Sequence, residues 1–214
     1  MTISSVEVIP FKVRELSNYQ CLRHCLFLDR DGVVNRSPGS GYVTSSEDFA
    51  LNEGIGELLQ SAHSFGWLVI IVSSQRCVSK GLITTKDLAS IHESMQASLD
   101  DRYGSNFDGI YIYTGEPGTE DWEKPRPGMI EQACKDHAIN PATSLLVGDQ
   151  DRDIEMAQNA GIGRTVRVLN AEEQRPNHVI ADLTVGSIPE MVVAVKQCME
   201  SRDVITNQPN DHSS

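Results

Sequence analysis

Two carboxylates one residue apart, Asp29 and Asp31, close the short apolar run Leu26-Phe27-Leu28 and are followed at once by Gly32. Carboxylates this close repel each other unless a cation or a shared proton intervenes. A hard divalent cation such as Mg²⁺, which prefers oxygen ligands, is the simplest resolution. Other apolar runs end in a similar way: Trp67–Val72 in Ser73-Ser74-Gln75, and Ser144–Val147 in Gly148-Asp149, with Asp153 four residues on. Lys124 stands before two prolines at the approach to a further helix. Carboxylates with a divalent cation, a hydroxyl and a lysine describe a site for a phosphoryl group. Phosphate-monoester hydrolysis is among the slowest uncatalysed reactions, so electrostatics and covalent catalysis must carry much of the barrier. One carboxylate attacking phosphorus gives an aspartyl-phosphate. The second protonates the leaving oxygen and then deprotonates water. Taken by itself, Asp-Arg-Asp-Gly also fits a solvated turn, because Asp and Gly are common turn formers.

These residues share a site only if the elements carrying them end on one edge. Apolar runs of three to six residues bounded by turn formers read as buried strands: Leu26–Leu28, Trp67–Val72, Asp108–Tyr113, Ser144–Val147 and Thr165–Leu169, with Val179–Leu183 as one more short strand. Apolar residues at helical spacing mark helices over Gly54–Phe65, Thr85–Leu99, Met129–His137, Asp151–Ala160 and Ile188–Met199, with Gly66 and Gly161 as stops. Strands alternating with helices imply an α/β fold: a mostly parallel sheet with right-handed crossovers and helices on both faces. In such sheets ligands bind beyond the carboxyl ends of the strands. The Gly, Ser and Pro content of Arg36–Ser46 marks a loop beside the site.

The ordered set Asp29-Arg30-Asp31-Gly32-Val33-Val34-Asn35, Ser73, Lys124 and Gly148-Asp149-x-x-x-Asp153 resembles the four motifs of the haloacid dehalogenase (HAD) superfamily, over roughly residues 25 to 170. Gly41-Tyr42-Val43, Ser73-Ser74-Gln75, Lys80-Gly81, Lys124-Pro125-Arg126-Pro127-Gly128-Met129 and Val147-Gly148-Asp149 are similar to the branch of D,D-heptose 1,7-bisphosphate and histidinol-phosphate phosphatases. The resemblance implies a Rossmann-like fold without a large cap domain, with Asp29 as nucleophile and Asp31 as general acid/base. It implies Mg²⁺ held by Asp29, the Asp31 carbonyl and Asp149, with Asp153 orienting a metal-bound water. Ser73 and the Ser74 backbone would bind phosphoryl oxygens, and Lys124 would neutralise them. Asp153 also fits a helix cap or dipole partner. Lys80 and Arg126 fit either a second phosphate or plain surface charge, and Arg76 adds a cation near the phosphate.

The sequence departs from the branch in two places. Tyr113–Glu123 contains no Cys or His, where many members carry a zinc cluster, so no zinc is expected. Ser73-Ser74-Gln75-Arg76-Cys77 replaces the usual Thr-Asn-Gln-Ser-Gly and keeps the hydroxyl while altering the substrate-facing loop.

The chain has 214 residues and a formal net charge of −12, which argues against nucleic acid or an anionic membrane as partner. Five cysteines form no disulfide pattern and read as reduced thiols of a cytoplasmic protein. The N-terminus lacks the basic and apolar regions of a signal peptide. The organisation expected is an extension over 1–23, in which Val6, Val8 and Ile9 form an edge strand, a phosphatase domain over 24–200 and a frayed polar tail over 201–214. A small phosphorylated metabolite is the expected partner, and nothing requires more than a monomer. A heptose bisphosphate leads as substrate, histidinol phosphate follows, and a non-catalytic binding protein on the same scaffold is the alternative outside enzymes.

Overall fold

The computed structural model describes residues 22–169 and 178–206, the last five as backbone only. The edge strand expected around Val6–Ile9 lies outside the described residues. Six strands, β1 (Cys25–Leu28), β2 (Leu68–Ser74), β3 (Gly109–Tyr113), β4 (Leu145–Gly148), β5 (Arg164–Val168) and β6 (Leu183–Val185), form one sheet in the order β3-β2-β1-β4-β5-β6. Every neighbouring pair is parallel. The order reverses direction at β1, and β1 and β4 diverge in the sequence of crossovers there, which is the position where doubly wound sheets open a crevice.

The helices are α1 (Ile55–Ser64), α2 (Thr85–Tyr103), α3 (Gly128–His137), α4 (Asp151–Asn159) and α5 (Ile188–Thr206). Alternate residues of β1 serve opposite faces: Leu26 and Leu28 pack in a core with α1, α2 and α5, whereas Cys25 and Phe27 pack with α3 and α4. All four residues of β1 are fully buried, which explains why the strand reads as an unbroken apolar run. Burying each large apolar side chain stabilises by about 1.5–3 kcal/mol, and in this strand that gain also fixes where the two following carboxylates emerge. Between β1 and α1 the chain forms turns and isolated bridges only, so no cap domain is inserted there.

Several boundaries differ from the sequence reading, among them the end of α2 at Tyr103 rather than Leu99. The last strand is Leu183–Val185, not Val179–Leu183. The backbone before it is committed elsewhere: the amides of His178 and Val179 donate to Asp151, the Val179 carbonyl accepts from Arg167, and Asp182 accepts from the amide and hydroxyl of Thr165. Ile180, which gave the stretch its apolar look, is 85% exposed. The last helix continues through Thr206 rather than giving way to a frayed tail at Ser201.

Candidate active site

The strand ends converge. The Asp29 amide donates to the Val147 carbonyl at 3.0 Å, extending the β1–β4 ladder one residue past β1 and holding Asp29 beside the Gly148-Asp149 turn. Lys124, in the segment between β3 and α3, bridges two carboxylates: its Nζ donates to Asp29 Oδ1 at 2.8 Å and to Asp153 Oδ1 at 2.7 Å. All three side chains are almost wholly buried. One carboxylate oxygen from each of Asp29, Asp149 and Asp153 lies within 4.8 Å of the others. Asp153 is fixed from its other side as well, because Oδ2 accepts from the Gln150 amide at the start of α4. Gly148 makes this approach possible: a Cβ there would stand 2.3 Å from that of Asp153.

Electrostatics within the cluster are uneven. Burial pushes the Asp29 carboxyl above the ordinary carboxylate range; Asp153 adds to this and Lys124 opposes it. Burial acts on Asp153 in the same direction, but the Lys124 ammonium outweighs it and holds that carboxyl low. For Lys124, burial favours the neutral amine, and the two carboxylates override it, leaving the ammonium firmer than usual.

Asp31 has a different environment. Its Oδ1 accepts from Arg30 Nε at 3.1 Å, Arg30 NH2 at 3.0 Å and Asn35 Nδ2 at 3.0 Å. Its Oδ2 accepts from Arg30 NH2 at 3.1 Å and Gln75 Nε2 at 2.9 Å. Arg30 is fully buried and also meets His92 Nε2 of α2 at 3.2 Å. Burial and the neighbouring guanidinium push His92 down to about 4, against a smaller pull from Asp31, so His92 is neutral and accepts from Arg30. The turn carrying this set is tight: the Arg30 carbonyl accepts from the amides of Val34 and Asn35, and Gly32 takes φ 90°, a conformation that favours glycine.

Ser73 is buried and its hydroxyl accepts from Gln75 Nε2 at 3.0 Å. Ser74 lines a cavity beside Asp31. The cations expected near substrate are dispersed. Arg76 pairs with Glu123 and lies 5.7 Å from the Tyr113 ring centroid. Arg126 donates to the Glu120 carbonyl at 2.7 Å, and Lys80 stands 5.0 Å over the Tyr42 ring.

Known proteins resemble this chain in sequence and in fold. A family model described as HAD-hydrolase-like matches residues 121–185. The D-glycero-beta-D-manno-heptose-1,7-bisphosphate 7-phosphatase of Haemophilus ducreyi is 34% identical over 182 residues, covering 79% of this chain and 97% of that protein. The chain belongs to this phosphatase family, within the HAD-type hydrolases. The D-glycero-alpha-D-manno-heptose-1,7-bisphosphate 7-phosphatase of Burkholderia mallei is 34% identical over 158 residues, covering 70% of this chain and 82% of that one. The crystal structure of D,D-heptose 1,7-bisphosphate phosphatase from B. bronchiseptica, complexed with magnesium and phosphate, superposes with a TM-score of 0.69 at 25% identity, over 81% of this chain and 98% of that one. The α/β fold with its parallel sheet is therefore the fold of the HAD phosphatases.

The donor set of this phosphatase suits magnesium. Asp29, Asp149 and Asp153 supply only oxygen and stand close enough to surround one ion, the chemistry a hard cation selects. Four contributors escaped sequence reasoning. Arg30 and Asn35 lie in the same motif as Asp29 and Asp31, and their donor groups near two carboxylates were the available signal; Gln75 lies in a separate motif, 44 residues from Asp31. His92 is 62 residues from Arg30 and carries no local signal at all.

Proposed function

We propose that the protein hydrolyses the C7 phosphate of D-glycero-D-manno-heptose 1,7-bisphosphate through an aspartyl-phosphate. The observation that carries this reading is the buried Lys124 bridge between Asp29 and Asp153, beside Asp149, at the sheet edge, in a chain whose match covers 97% of the Haemophilus ducreyi heptose phosphatase. Asp29 is the nucleophile: a carboxylate oxygen forms the bond to phosphorus as the ester oxygen leaves. Asp31 gives that oxygen its proton, then takes one from the water that attacks the phosphoryl-enzyme and frees inorganic phosphate and the Asp29 carboxylate. Lys124 restrains the nucleophile and balances phosphoryl charge, and Ser73 with the Ser74 backbone receives the phosphoryl oxygens. Asp29 and Asp149 would hold Mg²⁺ with the Asp31 carbonyl, and Asp153 positions the site through Lys124 and Gln150. Magnesium bound there would supply charge neutralisation at the phosphoryl group. The site acts in the cytoplasm, in keeping with the free thiols of Cys25, Cys77, Cys134 and Cys198.

Phosphate release from the heptose bisphosphate tests the reading. One phosphate per substrate is expected with Mg²⁺, none in excess EDTA, and a loss of at least about a thousandfold in Asp29→Asn with the circular-dichroism spectrum intact. An Asp29→Asn enzyme of full activity overturns the nucleophile assignment.

A further inference from the structure

Asp151, the first residue of α4, stands between Asp149 and Asp153 in the chain but is not a member of their cluster. Its carboxylate turns to β5 instead. Oδ1 pairs with Arg167 Nη1 at 2.7 Å and accepts from the Val179 amide at 3.3 Å, and Oδ2 accepts from the His178 amide at 2.9 Å. Arg167 Nη2 donates to the Val179 carbonyl at 3.0 Å. One guanidinium therefore holds both the carboxylate and the backbone that the carboxylate caps.

Arg167 belongs to β5, a strand covered on both faces, where apolar side chains are the ordinary choice. Val166 and Val168 follow that rule in the core with α1, α2 and α5. Arg167 lies on the other face, opposite Gly148 in the β4–β5 register, with its side chain 1% exposed. An apolar residue would fill this place without the desolvation of two charges, which often makes such a replacement neutral or stabilising. Burial energy alone thus does not call for the pair. What distinguishes the place is its neighbours. The amide of Gln150, next to Asp151, donates to Asp153 Oδ2, and Gly148 is the residue against which Asp153 packs. At the far end of α4, Gln158 donates to the Ile180 carbonyl at 3.0 Å, and Asp182 accepts from the Thr165 amide of β5 at 2.7 Å. The 178–182 stretch so ties α4 to β5 along the helix, and Arg167 with Asp151 forms its tie at the end that carries the carboxylate cluster.

We propose that the Arg167–Asp151 pair positions the cation cluster: it fixes the first turn of α4 against β5 and thereby sets the spacing of Asp149 and Asp153. The inference rests on the magnesium-dependent reading above and deepens it by naming what holds the carboxylates in register. Both are positioning residues, acting through the backbone of the turn that carries Asp149 and Asp153.

The test reads the Kd of Mg²⁺ alone, from the rise in unfolding temperature along a Mg²⁺ series at constant ionic strength, beside the Mg²⁺ half-saturation of phosphate release. Arg167→Met and Asp151→Ala change the net charge in opposite directions. A field effect on the cation would therefore tighten binding in the first and weaken it in the second. Positioning weakens both, by about tenfold, while kcat at saturating Mg²⁺ stays near the native value. Arg167→Lys keeps the charge and gives up the planar fork; an intermediate loss is expected, and this variant decides the matter if the other two fail to fold. Native affinity in the folded variants, or opposite shifts in Arg167→Met and Asp151→Ala, overturns the inference and leaves the phosphatase reading standing. Native protein whose unfolding temperature ignores Mg²⁺ overturns the magnesium reading together with the inference.

Discussion

At the scale of single residues, Lys124 decides whether the nucleophile is usable. Two buried carboxylates share its ammonium, and a buried ion pair broken on one side costs about 3–5 kcal/mol because the partner charge stays behind. Lys124→Met is expected to lose more than about 99% of activity and on the order of 3 kcal/mol of stability at neutral pH. The sign of its pH dependence follows from what remains. Without the ammonium, Asp29 and Asp153 keep the upward push of burial, so they bind protons in the folded variant more readily than in the unfolded chain. Stability of the variant should therefore rise, relative to native protein, as pH falls from 8 toward 5. Urea titrations at both pH values measure it; a gap that stays constant would mean the lysine acts by packing its methylenes and not by its charge.

At the scale of elements, α2 reaches back to the turn after β1 through His92 and Arg30. His92 lies at about 4 in the folded protein against an ordinary 6.5. Between those values the unfolded chain takes up a proton that the folded one resists, so stability is full above 6.5 and falls as pH drops toward 4. The loss across that window is on the order of 2–3 kcal/mol. His92→Gln removes the titration while keeping an acceptor for Arg30, and should flatten the decline in unfolding free energy between pH 6.5 and 4.5; an unaltered decline would assign it to other groups. How legible these elements were depended on the range of the signal. The buried strands and the strand-end residues Asp29, Ser73 and Asp149 showed as apolar runs ending in polar groups, since burial on both faces leaves little else in such a stretch. Lys124 showed through its prolines. The pairing of α2 with the turn, the capture of Arg76 by Glu123, and the shift of β6 to Leu183–Val185 depend on contacts between distant segments, which local periodicity does not encode. The stretch before Lys124, which lacks Cys and His, is similar: Gly118 and Thr119 bond to Glu120 and Glu116, Arg126 to the Glu120 carbonyl, and Trp122 lies against Tyr111, none of which its composition announces.

At the scale of the whole molecule, the site gathers three carboxylates in an acidic chain. Asp29, Asp149 and Asp153 crowd together, within a chain of net charge −12, and burial and the neighbouring Asp153 raise the Asp29 carboxyl against the pull of Lys124. A cation that binds the folded cluster and not the unfolded chain must stabilise the fold by mass action, by about 2.7 kcal/mol at a hundred times its Kd. For a chain of this size that corresponds to a rise in Tm of roughly 5–10 °C. Differential scanning calorimetry with Mg²⁺, against NaCl at matched ionic strength, should show this rise in native protein and lose most of it in Asp149→Asn, which keeps the Lys124 bridge but weakens the oxygen cluster. General screening of surface charge would raise Tm equally in both salts and in both proteins. That result would remove the cation from the cluster and leave the Lys124 ammonium as the counter-charge paired with the nucleophile.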